Sequence, residues 1–496
     1  MSSGDIAVVE EANNSNYTNE KKPALGASNS KQSSRANSHI PDGIDDAVFG
    51  HIGEEGPNYR SLSRIGTIAL MTKTQVGLGV LAIPKTFHVL GIVPGVFCLI
   101  AIGGMTAWSN YMVGAFKLNH PEVYTIDDAG GMMFGRVVRE IFAMMYMLNW
   151  VFVSASAMLG ISVGFNAVSS HALCTWTFVI IAAVSTFSLA SIRTLSKIGW
   201  IAWLGIVCIM VAVFSVTIAV GVETETPAAI TRNTTVFRLT NSNATYAEAM
   251  AAVSTHIFAY AGTPAFFSII AEMQDPTLYT SALIWSQSII TAVYVVIGVV
   301  IYYYVGSQVA SPALGSAGPI MKKVGFGFAL PGLLVSAMIV THVPAKYIFL
   351  RILRGSEHLH RNSLIHWGTW LGCTGGVTLT AYIIASAIPS FDPLVSLVGS
   401  SFGVFLCFQL FGCMWLYDNW GNRKRGLRWK AGVAWSIFVI VAGTFLMVGG
   451  TYGSVEALRD ASVGEAGRPW ACTDNSNSVP LSLPLNSTIT NSTTTP

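Results

Sequence analysis

The sequence predicts an all-α polytopic membrane protein with eleven transmembrane helices. Hydrophobic residues make up 52% of the 496 residues and charged residues only 11%, whereas soluble globular chains carry about 25% charged residues. Apolar runs near the roughly 20 residues that cross a bilayer as a helix recur between Ile65 and Gly453. The runs do not alternate, and lipid-exposed backbone must satisfy its own hydrogen bonds, so helices are favoured over strands.

Apolar runs predict the helices in chain order, at residues 65–89, 92–118, 137–169, 174–192, 199–222, 246–271, 279–305, 327–352, 365–388, 391–417 and 431–453. The turn signal of Gly91, followed by Pro94, separates the first two runs. We expect the runs to form one membrane domain over residues 61–453. Residues 1–60 are rich in Ser, Asn, Asp, Glu and Gly, so we expect a disordered cytoplasmic tail there. Residues 454–496 form a second, C-terminal tail.

The distribution of Lys and Arg predicts the orientation of the helices. With the N-terminus in the cytoplasm, Lys73 and Lys85 fall inside the first helix, and most other basic residues fall in cytoplasmic segments. Six face the opposite side, namely Arg232, Arg238, Lys322, Lys323, Arg459 and Arg468. Because cytoplasmic loops carry the excess of basic residues, we expect a cytoplasmic N-terminus and, with eleven helices, an extracellular C-terminus. The polar N-terminus lacks the pattern of a cleavable signal peptide, so the first helix is expected to direct insertion.

Acceptor sequons for N-glycosylation support this orientation. They begin at Asn233 and Asn243 in the loop 223–247, and at Asn486 and Asn491 in the C-terminal tail. Both segments fall outside, so we expect these four asparagines to be glycosylated. Two further matches lie in the N-terminal tail, on the inner side, where we expect them to stay unmodified.

The cysteines, the charge and the motifs exclude several kinds of site. None of the seven cysteines shows CxxC or Cys/His spacing, so we expect no metal and no other cofactor. Cys174 and Cys472 lie near polar ends and could pair on an oxidising side, although the sequence leaves their separation open. A net charge of +3 is too small to indicate nucleic acid. The chain has no HExxH, GxSxG or carboxylate cluster at ligand spacing, so we expect no enzyme.

Two predicted helices contain residues that interrupt a helix. In the first helix, Gly77 and Gly79 relax the backbone and Pro84 removes a hydrogen-bond donor. In the sixth helix, Gly262 and Pro264 are placed to break the helix in mid-membrane. Either pair alone could serve only close helix packing or a kink. Interruptions at corresponding positions of two halves are typical of an inverted-repeat transporter with its binding site at the midplane.

A pair of broken helices can bind a zwitterion through backbone groups. The half-helix beginning near Val80 offers free N–H groups and a positive dipole end, which suit a carboxylate. Carbonyls that end the other half-helices suit an ammonium group. The predicted substrate-binding residues are Thr74, Gln75, Gly77, Leu78, Gly79, Val80, Phe258, Ala259, Tyr260 and Gly262. Aromatic side chains at Phe266 and Phe267 could line the pocket or only pack. Few charged side chains lie in mid-bundle, so a neutral cargo is favoured.

Over about residues 60–452 the sequence resembles the amino acid/auxin permease family, and within it the fungal neutral amino acid permeases of the methyltryptophan-resistance type. The resemblance lies in the stretch from Gly77 to Pro84, and in Phe258-Ala-Tyr260 followed by Glu272-Met-Gln-Asp-Pro. It implies a LeuT-like five-plus-five inverted repeat, with helices one and six broken, plus one extra helix. It also implies alternating access and proton-coupled uptake of neutral aliphatic and aromatic L-amino acids.

One departure from related transporters suggests the coupling group. Sodium-coupled members of the superfamily tend to have a neutral polar residue where this chain has Lys73, one turn before the first glycine. An ammonium there could replace the ion by losing and regaining a proton. Rival proton carriers are His256, Glu272, His342 and Lys346, of which the histidines could equally serve packing. Glu272 and Lys346 are expected near the cytoplasmic interface, where a charge costs little free energy and where anchoring of the helix is the alternative role.

The resemblance places the protein in the plasma membrane, with a neutral amino acid, protons and the lipid membrane as partners. A vacuolar amino acid transporter and a permease-like amino acid sensor are the alternatives. No repeated pore loop or ring of charge indicates a channel. The N-terminal tail could be regulated by ubiquitin ligase machinery acting on Lys21, Lys22 or Lys31. The preferred amino acid is left open.

Overall fold

The computed structural model describes residues 44–46, 50–52, 62–192, 195–222, 237–354, 356–359, 363–421, 426–463, 468–470, 472–476 and 478. The expected tail over residues 1–60 lies almost entirely outside the described residues. The same is true of the sequon asparagines Asn233, Asn486 and Asn491. Asn243 is described and its side chain is exposed.

The described chain is almost entirely helical. Its α-helices are α1 Arg64–Gln75, α2 Leu78–Leu90, α3 Ile92–Asn119, α4 Ile126–Phe134, α5 Arg136–Ser169, α6 Thr175–Ala190, α7 Leu195–Val222, α8 Tyr246–Tyr260, α9 Thr263–Ala271, α10 Tyr279–Val305, α11 Pro319–Leu353, α12 Leu364–Ala387, α13 Phe391–Val398, α14 Leu410–Asn419 and α15 Leu427–Ser462. Short 3-10 segments are Pro276–Leu278, Gly306–Gln308, Ala313–Ser316 and Glu357–Leu359, and π-helical segments are Gly399–Gly403 and Phe405–Gln409. Strands β1 Ile44–Asp46 and β2 Gly50–Ile52 pair with each other.

Within the described residues, nine helices are long and apolar enough to cross a membrane. The pair α1 and α2, bent by 43° at a short break, forms a tenth candidate span. The one predicted span that is left, residues 174–192, corresponds to α6, which has only 16 residues. The all-helical polytopic architecture is therefore confirmed, while the count of eleven spans stays a prediction.

Both predicted breaks are present in the helices. α1 ends at Gln75 and α2 begins at Leu78, with Gly77 capping α2 without a side-chain hydrogen bond. α8 ends at Tyr260 and α9 begins at Thr263, with Pro264 in its first turn. An N–H in the first turn has no helical partner, so the proline costs no hydrogen bond there.

Pro84 does not contribute to the first break, contrary to the expectation from the sequence. α2 continues through this proline to Leu90. A proline costs the helix one backbone hydrogen bond, which the surrounding helices tolerate. The two glycines before it therefore account for the break.

Several elements extend or interrupt the predicted helices. α4 was not predicted because nine residues are too few for a hydropathy signal, although a capping box between Thr125 and Asp128 starts it. α15 continues past Gly453 to Ser462, since charged residues end the apolar pattern before the helix itself ends. The tenth predicted helix contains both π-helical segments between α13 and α14.

Packing places the two broken helices together inside the bundle. α1 packs against α7 and α10, and α2 packs against α8 and α10. α11 packs against α5 and α7, and α8 packs against α13 and α15. The breaks are thus enclosed by helices from both halves of the sequence.

The C-terminal strap, consisting of residues 468–470, 472–476 and 478, folds back onto the helices. Cys472 in the strap forms a disulfide with Cys174, the residue before α6. The hydroxyl of Thr175 donates a hydrogen bond of 2.6 Å to the carbonyl of Thr473. The pairing that the sequence left open is therefore present.

Candidate binding site at the two helix breaks

The two breaks lie in direct contact although they belong to the first and sixth predicted helices. A Cβ placed on Gly79 would lie only 2.6 Å from the Cα of Ala259. A Cβ placed on Gly262 would lie 2.8 Å from the hydroxyl oxygen of Thr74. Each glycine therefore permits a backbone approach that any side chain would prevent.

A small cavity of about 30 Å³ lies beside the breaks, which is enough for about two water molecules. Its lining is Lys73, Thr74, Gln75, Gly77, Leu78, Gly79, Trp150, Val153, Phe258, Ala261, Ser336 and Val340. Six of the ten predicted substrate-binding residues are among them. The other four, Val80, Ala259, Tyr260 and Gly262, belong to the breaks without lining the cavity. An amino acid needs more room, so the conformation is closed around this site.

The start of α2 presents unpaired backbone donors at the cavity. The first N–H groups of a helix, here those of Leu78, Gly79 and Val80, have no intrahelical partner. The positive end of the helix dipole adds to their attraction for an anion. Beside them, both polar atoms of the buried Gln75 amide lack a hydrogen-bond partner among the described residues. This end of the site can therefore bind a carboxylate.

The carbonyl ends of the other half-helices are held by a residue that the sequence did not reveal. The hydroxyl of Tyr294 in α10 lies 2.8 Å from the carbonyl oxygens of both Gln75 and Ala259. Its single hydrogen is shared between the two acceptors. The carbonyls of Phe258 and Tyr260 accept from backbone N–H groups of the break itself. Each carbonyl oxygen has two lone pairs, so one remains for an ammonium group.

Lys73 lies at the first break, with 1% of its surface exposed. Its Nζ donates to the carbonyl of Val76 at 3.3 Å, and a Cβ on Gly77 would lie 3.7 Å from it. Its Cε approaches α7, at 2.9 Å from a Cβ placed on Gly205. Among the described residues, no carboxylate lies within 4.0 Å of the Nζ. Burial of this ammonium is therefore not offset by an ion pair.

None of the other candidates for proton coupling lines the cavity. The Nε2 of His256 lies 2.6 Å from the hydroxyl of Thr86 in α2. Lys346 donates to Glu272 at 2.5 Å, and both side chains are buried, so two candidates form one contact. The pair, rather than water, compensates these charges. The buried His342 packs edge to face against an indole ring.

The aromatic residues divide between the cavity and the surrounding core. Phe258 lines the cavity, whereas the hydroxyl of Tyr260 donates to Thr291 at 3.2 Å. Phe266 and Phe267 are fully buried and do not line it. Four further lining residues were not predicted to bind substrate, namely Trp150, Val153, Ser336 and Val340. They are apolar or small residues of helices without breaks, and such residues carry no local signal in the sequence.

Comparisons with known proteins show which family the chain matches and which fold it shares. The family described as transmembrane amino acid transporter protein matches residues 60–456. A transmembrane transporter of Gibberella moniliformis is 33% identical over 434 residues, which are 86% of this chain and 90% of the relative. The N amino acid transport system protein of Neurospora crassa is 29% identical over 437 residues, 87% of this chain and 93% of the relative. The crystal structure of MhsT in complex with L-phenylalanine matches 78% of this chain and 98% of that chain, with a TM-score of 0.52 and 16% identity. At that identity the likeness shows a shared fold.

Proposed function

The chain belongs to the transmembrane amino acid transporter family, and on this premise we propose that it is a secondary active transporter importing neutral L-amino acids by proton symport. The family match confirms the resemblance read from the glycine stretch of the first helix. Relatives are named as transporters, a family that is not enzymatic. An amino acid cargo and a membrane setting follow from the family.

The observation that carries the proposal is the meeting of two helix breaks in the interior. One break offers free N–H groups at the start of α2, and the ends of α1 and α8 offer carbonyl oxygens. An amino acid taken out of water needs both of its charges matched. Backbone groups of opposite polarity at adjacent breaks meet this need without a fixed counter-charge.

The lining of the cavity supports a neutral side chain on the cargo. Among the residues that the structure describes, no acidic one lines the cavity, and its walls include Trp150, Val153, Phe258 and Val340. A cationic side chain would meet the ammonium of Lys73 without a carboxylate to balance it. An aliphatic or aromatic side chain would instead be buried against apolar walls, at a gain of about 25 cal/mol per Å².

The position of Lys73 supports proton coupling. Its ammonium lies between the first break and helices α7 and α11, where movement of one helix against another would change its exposure. A buried cation without an ion pair is costly, so closure favours release of its proton. The charge of Lys73 would then depend on whether the site is open or closed, and this link between a proton and the conformation of the transporter is the basis of the proposed coupling.

The disulfide and the exposed sequon support the proposed orientation. Disulfides persist in oxidising compartments, so the strap and the start of α6 belong on the extracellular or lumenal side. Asn243 is exposed in the segment before α8, and we propose that it is glycosylated there. We propose the plasma membrane as the location, with the N-terminus in the cytoplasm.

Uptake of labelled leucine and phenylalanine in cells lacking their own permeases tests the function. We expect uptake that rises when the outside pH falls, ignores sodium and collapses with an uncoupler. Lys73→Met, which keeps the length of the side chain without its charge, should reduce acid-driven uptake at least tenfold. Its residual uptake should no longer depend on pH.

Lys323→Met removes an exposed lysine at the start of α11 and is the matched control. Sodium-dependent uptake would contradict proton symport, and retained pH dependence in Lys73→Met would move the coupling elsewhere. Protein that reaches the surface but takes up neither amino acid would overturn the import proposal and favour a sensor. Activity found only in isolated vacuoles would overturn the proposed location.

A further inference from the structure

A second cavity, of about 160 Å³, lies along α2 beyond the break. It has about five times the volume of the 30 Å³ cavity at the breaks. Its walls come from the end of α2, the first turns of α8 and α13, and the end of α15. Lys85 in this wall follows Gly77 by eight residues, or about 12 Å along the helix axis. The cavity therefore lies on the side of the break where the loop before α8 and the C-terminus of α15 are found.

Charges of both signs face this second cavity without pairing with each other. Lys85, Glu248 and Asp392 all line it. All of these residues are described, and the Nζ of Lys85 lies more than 4.0 Å from the carboxylate oxygens of Glu248 and Asp392. The only hydrogen bond of the Lys85 ammonium within the described part of the chain is a long one, 3.5 Å, to the carbonyl of Val309.

The two carboxylates that line this cavity differ in their exposure to solvent. Glu248 closes the capping box of α8, accepting from the N–H and the hydroxyl of Thr245 at 2.8 and 2.9 Å. Asp392 accepts through one oxygen from the hydroxyl of Ser311. Its other oxygen makes no hydrogen bond with the described residues, and neither does the Oε1 of Glu248. Glu248 is exposed, whereas Asp392 is partly buried in the cavity wall, so Asp392 is the more enclosed of the two carboxylates.

We propose that this outer cavity is a second binding site for the same amino acid, occupied before it reaches the breaks. The ammonium of the amino acid binds Asp392 and its carboxylate binds Lys85, bridging two charges that do not meet directly. This inference rests on the proposed function and adds a site to it. A simple anion or cation would leave one of the two protein charges unmatched, whereas a zwitterion matches both.

The neighbouring side chains suit the rest of such a ligand. Hydroxyls of Thr86, Thr255 and Ser396 line the cavity among small apolar residues. The lining accepts a range of neutral side chains because it contains no large aromatic wall. Recognition at this site is therefore of the amino acid head group.

Kinetics of phenylalanine uptake test the outer site. We expect Lys85→Gln and Asp392→Asn each to raise KM about tenfold, with the maximal rate within twofold and the surface amount unchanged. Lys85→Arg keeps the charge and should keep KM near the wild-type value. Lys323→Gln, an exposed lysine outside the cavity, should leave both constants unchanged.

Head-group analogues identify which protein charge meets which substrate charge. Phenylalanine methyl ester lacks the carboxylate and should therefore inhibit phenylalanine uptake more weakly than phenylalanine itself does. In Lys85→Gln phenylalanine also loses the contact with the ammonium, so the ratio of the inhibition constant of the ester to the KM of phenylalanine should become smaller. N-acetylphenylalanine lacks the ammonium, so the same ratio for this analogue should become smaller in Asp392→Asn instead. A selective change of this kind does not arise from a merely structural defect.

Three results would overturn the site. Unchanged KM in both variants would show that the charges do not bind substrate. A lower maximal rate with unchanged KM would assign them to closure of the cavity. Equal effects on both analogues would contradict the proposed ligand orientation. Absence of uptake by the wild-type protein would instead overturn the proposed function, and with it this site.

Discussion

At the scale of single residues, one hydroxyl group links the two helix breaks. Tyr294 is fully buried, and its hydroxyl hydrogen is shared by the carbonyls of Gln75 and Ala259. These carbonyls end α1 and α8, where helices leave acceptors without partners. The tyrosine thus stabilises backbone that would otherwise be unsatisfied in the membrane interior.

Tyr294→Phe removes this donor without changing the shape of the ring. Two buried carbonyls then lose their partner, at a cost of roughly 1–3 kcal/mol. We expect a lower melting temperature in detergent and uptake reduced at least fivefold at equal surface amount. Tyr304→Phe on the same helix, where the ring is 47% exposed, should change neither. Normal uptake and stability in Tyr294→Phe would show that the hydroxyl does not hold the breaks.

At the scale of elements, the C-terminal strap connects two pairs of consecutive helices that are distant from each other in the sequence. The disulfide fixes it to the start of α6. The amide of Asn166 in α5 donates to Asn475 at 2.7 Å, and Lys322 in α11 donates to the carbonyl of Ser476 at 2.5 Å. The N–H of Trp470 donates to a carbonyl in the last turn of α12. The strap therefore holds the ends of α5, α6, α11 and α12 together.

Cys174→Ser, Cys472→Ser and the double variant should lower thermal stability to the same extent. Each removes the same bond, and a disulfide contributes typically about 2–4 kcal/mol. A reductant should shift the wild-type melting temperature to that of the variants and leave the variants unchanged. Cys98→Ser, which removes a free cysteine, is the control. Additive losses in the double variant would show that the cysteines act separately.

At the scale of the whole molecule, a polar network ties together the end opposite the strap. The buried pair of Glu272 and Lys346 joins the residue after α9 to α11. The next residue of α11, Tyr347, donates to Asp127 of α4 at 3.0 Å. The N–H of Leu62, before α1, donates to the carbonyl of Glu272 at 3.0 Å. These polar contacts join the segment before α1, α4, the end of α9 and α11 at this end, whereas the 160 Å³ cavity lies at the other end.

The carboxyl of Asp127 predicts how this network responds to pH. Burial, and then the neighbouring charge of Asp128, raises the pKa of Asp127 above its ordinary value, which is about 3.9. Between these two values the folded protein binds more protons than the unfolded chain, so stability falls as pH rises through that window. Asp127→Asn cannot ionise. The melting temperature of the wild type should therefore rise relative to that of Asp127→Asn as the pH is lowered from 7 towards 4.

Asp275 provides the control for this prediction, because the pKa of its carboxyl is shifted in the opposite direction. Asp275 is exposed, and hydrogen bonds from the hydroxyl and N–H of Thr277 lower the pKa of its carboxyl. Its contribution to stability is present above the ordinary pKa and is lost on acidification. The wild type should therefore lose stability relative to Asp275→Asn as the pH falls. The same trend in both variants would contradict the assignment to Asp127.

The family and the helical architecture could be predicted from the sequence because they depend on local properties. A segment in lipid must satisfy its own backbone hydrogen bonds, so each apolar run specifies a helix without reference to its neighbours. Glycines at positions 77, 79 and 262 likewise mark the breaks through their own backbone freedom. Pro84 shows the limit of this reasoning, since α2 passes through it where packing compensates for the lost bond.

Which groups meet at those breaks depends on how the helices pack and could not be predicted from the sequence. Tyr294 carries no sequence pattern, and its role depends on α10 lying beside both breaks. The pairing of Glu272 with Lys346, and of Cys174 with Cys472, likewise joins residues whose separation no local rule specifies. Most of the helices, the two breaks and the family could be predicted because they follow from short segments of chain. The partners, the closed cavity and the charges of the outer cavity depend on helix packing, which shape and small residues direct without a periodic signal.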